Sequence, residues 1–323
     1  MKYFLGIDTS NYRTSAAICD ENGNVVRSVR RLLPVKDGEL GLRQSDALFA
    51  HTKALPSVIE ELGEFPLSAV GYSAKPRDCE GSYMPCFLAG ESVARSVASL
   101  LGIPVYPFSH QAGHLQAALY SVSRDPETPF NELSELIESE NRFAPNGRFL
   151  AFHVSGGTTE ALLYDNKKIT LLGGTLDLNA GQAIDRVGVA LGLPFPAGEE
   201  LEKLAKGQPL SKGIKISVKG CDCNLAGLEN MAKKLLSNGE SREKVAAFTL
   251  DAVLKTLDKM SENLVTSHPE LPILYAGGVM SCKRIASVLG KKYVSAFALP
   301  EFSGDNAVGT ALLGLKKYSS IKR

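Results

Sequence analysis

The apolar positions of the chain fall into short runs of strand length and longer stretches of helical length, separated by polar turns. Three strand-like runs come first, and the Glu-Asn-Gly-Asn turn between the second and the third is typical of a β-hairpin. Helical and strand-like stretches then alternate. The pattern predicts strands over 3–8, 14–20 and 25–31, a helix over 45–62, a strand over 69–73, a helix over 87–101 and a strand over 103–107.

The second half of the chain repeats this order. Strand-like runs at 149–154, 161–164 and 169–173 again form a group of three, with a turn of small residues between the first two. The elements predicted after them are helices over 179–191, 198–206, 225–236, 242–265, 281–289 and 305–315, and strands over 214–218, 272–276 and 293–297. We infer an internal duplication of a β-β-β-α-β-α unit. This α/β layout is typical of the actin, sugar kinase and Hsp70 (ASKHA) fold class, in which two lobes clasp a nucleotide.

The same pattern predicts three regions. Residues 1–120 form an N-terminal lobe, and residues 149–323 form a C-terminal lobe that carries Gly-rich turns. Between them, residues 121–148 are polar and acidic and contain three prolines, which favours a linker or lid over core structure. The final helix, near residues 303–316, could pack back on the first lobe.

Composition narrows the classes of function. The 323 residues include 36 Lys and Arg against 35 Asp and Glu, so no overall basic field attracts nucleic acid, and an RNA substrate would need a local patch or partner proteins. No apolar run reaches the length of a membrane span, and the chain opens on a strand rather than on a signal-peptide pattern. Six scattered cysteines fit reduced thiols, so we expect a cytoplasmic protein without membrane partners.

The strongest candidate for chemistry is a pair of histidines in Ser109-His-Gln-Ala-Gly-His114, directly after a predicted strand. Two imidazoles four residues apart lie on one side of a helix and can reach one metal ion. Imidazole suits zinc or iron, and the chain has only five histidines. Asp305, at a loop-to-helix junction, either caps that helix or supplies a third ligand.

Two Gly-rich turns and one carboxylate indicate a nucleotide-binding site. Ser155-Gly-Gly-Thr158 follows a strand, and its backbone N–H groups can converge on a phosphate; an ordinary hairpin is the alternative. Ala276-Gly-Gly-Val279 lies between a strand and a helix, so a nucleotide can approach the backbone there; an ordinary tight strand–helix turn is the alternative. Asp185 on a predicted helix could bond ribose hydroxyls or hold a metal-bound water, or it is a solvated surface charge.

Taken together, these motifs resemble those of the TsaD (YgjD, Gcp) family of tRNA threonylcarbamoyl transferases, formerly labelled O-sialoglycoprotein endopeptidases. The order of motifs is that of the family over nearly the whole length. Leu5-Gly-Ile-Asp-Thr-Ser10 resembles LGIETS, and His110-Gln-Ala-Gly-His114 resembles HxEGH. Val154-Ser-Gly-Gly-Thr-Thr159 resembles VSGGHT, Ala276-Gly-Gly-Val279 resembles AGGVAAN, and Ser303-Gly-Asp-Asn306 resembles CTDN.

The resemblance implies a function and a site. The enzyme would move the threonylcarbamoyl group from threonylcarbamoyl-AMP to N6 of the adenosine beside the anticodon in tRNA. His110, His114 and Asp305 would hold one divalent iron or zinc ion, and family partner proteins or a homo- or heterodimer are expected. We assign Asp8 and Asp185 as catalytic carboxylates. The residues expected to bind the adenylate are Val154, Ser155, Gly156, Gly157, Thr158, Asp185, Gly198, Gly277, Gly278 and Cys282.

Several positions depart from the family pattern. Arg13 stands in a turn where the family has acids, and Thr158 replaces a histidine. Cys282 replaces the asparagine of AGGVAAN, and Glu229 replaces a lysine, which would weaken a phosphate or tRNA contact. Two alternatives therefore stay open: a divergent paralogue that carbamoylates another acceptor, and a non-catalytic nucleotide-binding partner of a family member.

Overall fold

The computed structural model describes residues 1–10, 13–34, 42–125, 127–166, 168–304 and 307–321. The chain divides into two compact units. Unit 1 comprises Met1–Phe143 and Glu301–Arg323, and unit 2 comprises Ala144–Pro300. Both ends of the chain therefore belong to unit 1, and the division differs from predicted boundaries at 120 and 148.

The first part of unit 1 follows the predicted order of strands and helices closely. Its strands are β1 (Tyr3–Ser10), β2 (Arg13–Asp20), β3 (Val25–Leu32), β4 (Leu67–Lys75) and β5 (Val105–Ser109). Its helices are α1 (Gln44–Leu62), α2 (Phe87–Leu101), α3 (His110–Ser123) and α4 (Leu133–Phe143).

The remaining elements build unit 2 and return to unit 1. The strands are β6 (Arg148–Val154), β7 (Thr159–Asp165), β8 (Lys168–Gly174), β9 (Ser217–Lys219), β10 (Asp222–Asn224), β11 (Ile273–Ala276) and β12 (Ser295–Phe297). The helices are α5 (Ala180–Ala190), α6 (Gly198–Leu204), α7 (Gly227–Ser237), α8 (Arg242–Ser267), α9 (Lys283–Lys292), α10 (Pro300–Ser303) and α11 (Val308–Ile321). Single 3-10 turns lie at Pro145–Gly147 and Gly278–Ser281.

The two five-stranded sheets have the same topology. The strand order is β3-β2-β1-β4-β5 in unit 1 and β8-β7-β6-β11-β12 in unit 2. In each sheet the first three strands pair antiparallel, and the last two join parallel. This repeated arrangement bears out the inferred internal duplication.

Helix α11 completes the core of unit 1. It lies against α3, β1 and β4, and Leu312 and Leu315 are buried beside Phe4. The crossing with α3 is so close that a Cβ atom at Gly309 would overlap the carbonyl oxygen of Gly113. Only a glycine allows the two helix backbones to approach this far.

The segment predicted as a linker or lid is mostly built into unit 1. Residues 121–123 belong to the last turn of α3, and α4 covers Leu133–Phe143. Leu136 is fully buried in the same cluster as Phe4, and Glu140 pairs with Lys316 of α11. The acidic composition suggested an exposed segment, but one apolar stripe on α4 and a buried ion pair are enough to fix it against the core.

The core of unit 2 is built on β6, β11 and the long helix α8. The ring of Tyr275 stacks between those of Phe152 and Phe297, with centroid distances of 5.4 and 4.8 Å. Its hydroxyl lies 2.7 Å from Ser261 Oγ of α8, so the buried polar group is paired. Within the described parts of the chain no helix, α8 included, has both the length and the apolar character needed to cross a membrane.

Candidate functional site

The first candidate site lies at one edge of the unit 1 sheet. β1, β4 and β5 are neighbouring parallel strands, so their carboxyl ends meet at the same edge. Asp8 lies near the end of β1, Ser73 near the end of β4, and Ser109 at the end of β5. Ser109 Oγ accepts a hydrogen bond from Ala112 N at 3.1 Å and thereby caps α3, whose first residue is His110.

Asp8 is the central carboxylate of this edge and is only 1% exposed. Its Oδ1 accepts a hydrogen bond from Ser10 N at 2.8 Å. Its Oδ2 accepts one from Ser73 Oγ at 2.6 Å and lies 2.6 Å from His110 Nδ1. Groups from three separate elements therefore converge on one buried side chain.

The two predicted histidines lie one turn apart on α3 and face each other. His110 Nε2 is 2.8 Å from His114 Nε2, and the ring planes are steeply inclined at 76°. Asp8 accepts a hydrogen bond from His110 Nδ1, so in a neutral His110 the proton is on Nδ1. Its Nε2 atom then carries a lone pair. That lone pair is directed toward His114.

This geometry suits a metal ion as far as the described residues extend. Two nitrogens at tetrahedral positions around zinc are about 3.3 Å apart, so the observed pair needs to open by roughly half an ångström. A carboxylate on the far nitrogen of a ligating histidine is the usual supporting contact. Over the described ranges there is no cluster of three or more His, Cys, Asp or Glu side chains that could hold a metal ion. The predicted third ligand, Asp305, lies outside the described residues.

Two other histidines, His51 and His153, are core residues. His51 is fully buried on α1, and its Nδ1 lies 2.8 Å from Thr14 Oγ1. Burial lowers the pKa of the His51 imidazole below its ordinary value because the charged form would lose its hydration. His153 is 7% exposed on β6.

The second candidate site is the Gly-rich turn after β6. Ser155 N donates to Thr158 O at 2.7 Å, and Gly157 N donates to Ser155 Oγ at 3.2 Å, which shapes residues 155–158 into a tight turn. Gly156 and Gly157 are exposed. Gly181 N, in the first turn of α5, donates to Ser155 O at 3.1 Å and fixes the turn beside the start of that helix.

The other Gly-rich turn lies against the first. Gly277 has φ +98°, and a Cβ atom there would overlap the carbonyl oxygen of Val154. Any other residue would be strained and would push the two strand ends apart. The structure therefore brings the predicted segments 154–158 and 276–279 and the start of α5 together within unit 2.

Asp185 lies on α5 and is half-buried. Its Oδ1 accepts a hydrogen bond from Ala197 N at 2.8 Å, directly before Gly198 begins α6. Burial raises the pKa of this carboxyl group, and the Ala197 hydrogen bond partly offsets that shift. Two predicted site residues, Asp185 and Gly198, are thus linked through one backbone contact.

Cys282 precedes α9 in the same unit. Burial raises the pKa of its thiol to about 12, and the negative charge of Glu202 acts in the same direction. Glu202 also accepts a hydrogen bond from Arg284 N at 3.2 Å, at the start of α9. Cys282 is therefore a neutral thiol rather than a reactive thiolate.

Sequence reasoning missed two residues that organise these sites. Ser73 donates to Asp8, and Thr159 Oγ1 accepts a hydrogen bond from Ala180 N at 2.9 Å, at the first residue of α5. Thr159 ends the VSGGHT-like motif but is not among the residues expected to bind, and Ser73 is not in any of the predicted site motifs. Only the parallel pairing of β1 with β4 could have indicated Ser73.

Comparison with known proteins gives a family. The sequence profile of TsaD, described as tRNA N6-adenosine threonylcarbamoyltransferase, matches residues 126–312, more than half of the chain. The chain belongs to this family. The predicted resemblance and the predicted class of enzyme, a transferase, are thereby confirmed.

Curated relatives of this TsaD family member extend the match over almost the whole chain. A tRNA N6-adenosine threonylcarbamoyltransferase of Methanopyrus kandleri is 25% identical, over 96% of this chain and 86% of the relative. A probable bifunctional tRNA threonylcarbamoyladenosine biosynthesis protein of Methanothermobacter thermautotrophicus is 27% identical, over 97% of this chain and 55% of the relative. The names of both relatives belong to tRNA threonylcarbamoyladenosine biosynthesis.

Solved structures share the fold at low identity. Full-length HypF has a TM-score of 0.60 at 10% identity, over 99% of this chain and 56% of HypF. Component A of (R)-2-hydroxyglutaryl-CoA dehydratase from Acidaminococcus fermentans has a TM-score of 0.55 at 13% identity, over 99% of this chain and 100% of that protein. A ROK hexokinase from Thermus thermophilus has a TM-score of 0.54 at 14% identity, over 98% of this chain and 99% of the hexokinase. These likenesses confirm the predicted two-lobed ASKHA fold class.

Proposed function

We propose that the protein transfers the threonylcarbamoyl group from threonylcarbamoyl-AMP to N6 of the adenosine beside the anticodon in tRNA. Family membership supports the reaction class. The observation that carries the proposal for this chain is the buried Asp8–His110–His114 arrangement, in which both Nε2 atoms face each other and the far nitrogen of His110 is held. The comparisons do not favour another acceptor or a non-catalytic role.

His110 and His114 would hold one divalent zinc or iron ion, with Asp305 as the predicted third ligand. Such an ion, when bound, supplies Lewis-acid stabilisation of developing negative charge on carbonyl or phosphoryl oxygen. Asp8 orients the histidine: it accepts a hydrogen bond from His110 Nδ1–H and so keeps Nε2 of His110 available as a ligand.

In unit 2 the chain would bind the adenylate. The exposed turn of residues 155–158 would offer the Gly156 N–H to the phosphate, since Gly157 N already donates to Ser155 Oγ. Gly277 allows close contact with Val154, and Gly278, where a Cβ atom would meet open space, would leave room for the adenosine. Asp185, with one oxygen occupied by Ala197 N, would bond the ribose hydroxyls through the other. The neutral Cys282 thiol adds no negative charge beside the anionic AMP.

The proposed transfer breaks the bond between the carbamoyl carbon and the AMP oxygen and forms a bond between that carbon and N6 of adenosine. AMP leaves with the bonding electron pair, and the N6 amine loses one proton to water. The residues of this chain contribute by orienting the two substrates and by presenting donors to the phosphate.

Contacts with tRNA and with family partner proteins are part of this proposal. Glu229, which replaces a lysine of the family, is already paired with Lys233 at 2.6 Å and with Arg186 at 3.6 Å. Its negative charge is therefore partly neutralised within unit 2. A cytoplasmic location and a homo- or heterodimer also stay predictions.

The decisive experiment supplies threonylcarbamoyl-AMP directly to the purified chain with a tRNA transcript, with and without the family partner proteins. We expect threonylcarbamoyladenosine in the nuclease digest by mass spectrometry, and a loss of at least a hundredfold in His110→Ala. His268→Ala, a change at the far end of α8, is the matched control and should retain activity. Absence of product with active partners present would reject the transfer to tRNA.

A further inference from the structure

We propose that Ser73 is a positioning residue for the histidine pair: its hydroxyl orients Asp8 so that Asp8 in turn orients His110. The inference rests on the proposed function because it concerns the metal ligands named there. Ser73 begins a segment that departs from the Gly-Pro-Gly loop of the family and is not among the predicted site residues; its hydroxyl contacts Asp8, and Asp8 contacts His110. Its influence would act through Asp8 alone.

The contact is short and buried. Ser73 Oγ donates to Asp8 Oδ2 at 2.6 Å, and both residues are 1% exposed. The same Oδ2 atom lies 2.6 Å from His110 Nδ1. One oxygen therefore serves a strand hydroxyl on one side and the ring of the histidine on the other.

Two donors from different strands fix the plane of the carboxylate. Ser10 N holds Oδ1 from the end of β1, and Ser73 Oγ holds Oδ2 from β4. Without the Ser73 hydroxyl, Oδ2 loses the donor that comes from β4 and keeps the contact with His110, so the carboxylate can rotate more easily about its Cβ–Cγ bond, since that torsion is broad in Asp. Ser73 removes this freedom, and Oδ2 stays aligned with the imidazole.

Ser73 also contacts helix α11. Thr310 Oγ1 of α11 lies 3.5 Å from Ser73 Oγ, and a Cβ atom at Gly113 of α3 would lie 3.0 Å from the same Thr310 oxygen. The hydroxyl of Ser73 thus sits between β1 and the helix that packs on α3. This placement explains why a strand residue can set the orientation of a side chain on α3.

The test measures metal binding rather than activity. Zinc affinity of the intact chain is determined by competition with a chromophoric chelator for the wild type, Ser73→Ala, Ser73→Thr and the control Ser261→Ala. Ser261 is an equally buried serine in unit 2, bonded to Tyr275. We expect Ser73→Ala to bind zinc about 10-fold more weakly, within the range seen for loss of outer contacts at metal sites. Ser73→Thr, which retains the hydroxyl, and Ser261→Ala should stay within about 3-fold of the wild type.

A double-mutant cycle separates positioning from general destabilisation. If Ser73 acts through Asp8, the Ser73→Ala change weakens zinc binding in the wild type but adds nothing in Asp8→Asn. Equal losses in both backgrounds, or wild-type affinity in folded Ser73→Ala, would overturn the inference while leaving the metal site standing. If the wild type and His110→Ala take up equally little zinc, the proposed metal site itself fails, and the inference with it.

Discussion

At the scale of single residues, the histidines of this chain have opposite roles that their surroundings decide. His110 is 17% exposed at its side chain and is held by Asp8. His51 is fully buried and bonded to Thr14, and its Nε2 has no hydrogen-bond partner among the described residues. The surroundings of His110 favour a metal ligand, and those of His51 favour a neutral core side chain.

A pH dependence of stability follows from His51. Burial lowers its pKa in the folded state, so the unfolded state binds more protons once the pH falls below about 6.5. Its contribution to stability is therefore present above that pH and is lost as the pH falls, by at most about 1.4 kcal/mol per pH unit. Urea unfolding of the wild type and His51→Gln should show a difference in midpoint at pH 7.5 that shrinks at pH 5.5.

A difference between wild type and His51→Gln that is the same at both pH values would contradict this prediction. His268→Gln is the matched control, since His268 lies at the end of α8 and not in the core. Its midpoint should follow the wild type at both pH values.

At the scale of elements, the crossing of α3 and α11 decides where the histidines lie. The two backbones meet at Gly113 and Gly309, with no room for a Cβ atom at Gly309. We expect Gly309→Ala to lower the free energy of unfolding by about 1–3 kcal/mol, since the helices must separate. The midpoint temperature of thermal unfolding and the affinity for zinc should both be lower than in the wild type.

Gly314→Ala provides the control on the same helix. A Cβ atom at Gly314 would lie 3.5 Å from Gly71 N, an ordinary contact distance. Alanine also favours helix over glycine by about 1 kcal/mol, so this variant should be as stable as the wild type or more so. Similar stability of the two variants would show that the close crossing is not limiting.

Most elements could be predicted from the sequence because alternation and turn residues are local signals. The three opening strands and α2 lie within a few residues of the predicted bounds. The strand predicted over 214–218 is instead the short strand Ser217–Lys219, which pairs antiparallel with Asp222–Asn224 in a two-stranded sheet. The role of Ser73 was not predictable, since it depends on which strands become neighbours in the sheet.

The candidate site shows the same limit. Spacing alone was enough to suggest that His110 and His114 face each other, because a helix fixes that relation within one turn. The contact of Asp8 with His110 joins residues 102 positions apart and required the folded sheet. The embedding of Leu136 in the core was missed for the same reason, since its partners come from both ends of the chain.

At the scale of the whole molecule, charge balance shapes the expected encounter with tRNA. The formal net charge is +1, so the chain alone should bind tRNA weakly. If about three phosphates are contacted, affinity should fall roughly tenfold or more between 50 and 200 mM salt. Filter binding at both salt concentrations, with and without partner proteins, checks this; an affinity that does not change with salt would exclude a phosphate-led interaction.

The return of α11 to the first unit has a consequence for how the protein is made. Phe4 of β1 is covered by Leu312 and Leu315, which are synthesised long after it. Unit 2, whose chain is continuous from Ala144 to Pro300, has all its strands available earlier. Unit 2 can thus fold while later residues are still being synthesised, whereas unit 1, which holds both histidines, waits until α11 has been made, and a chain truncated before α11 would leave the core around Phe4 uncovered.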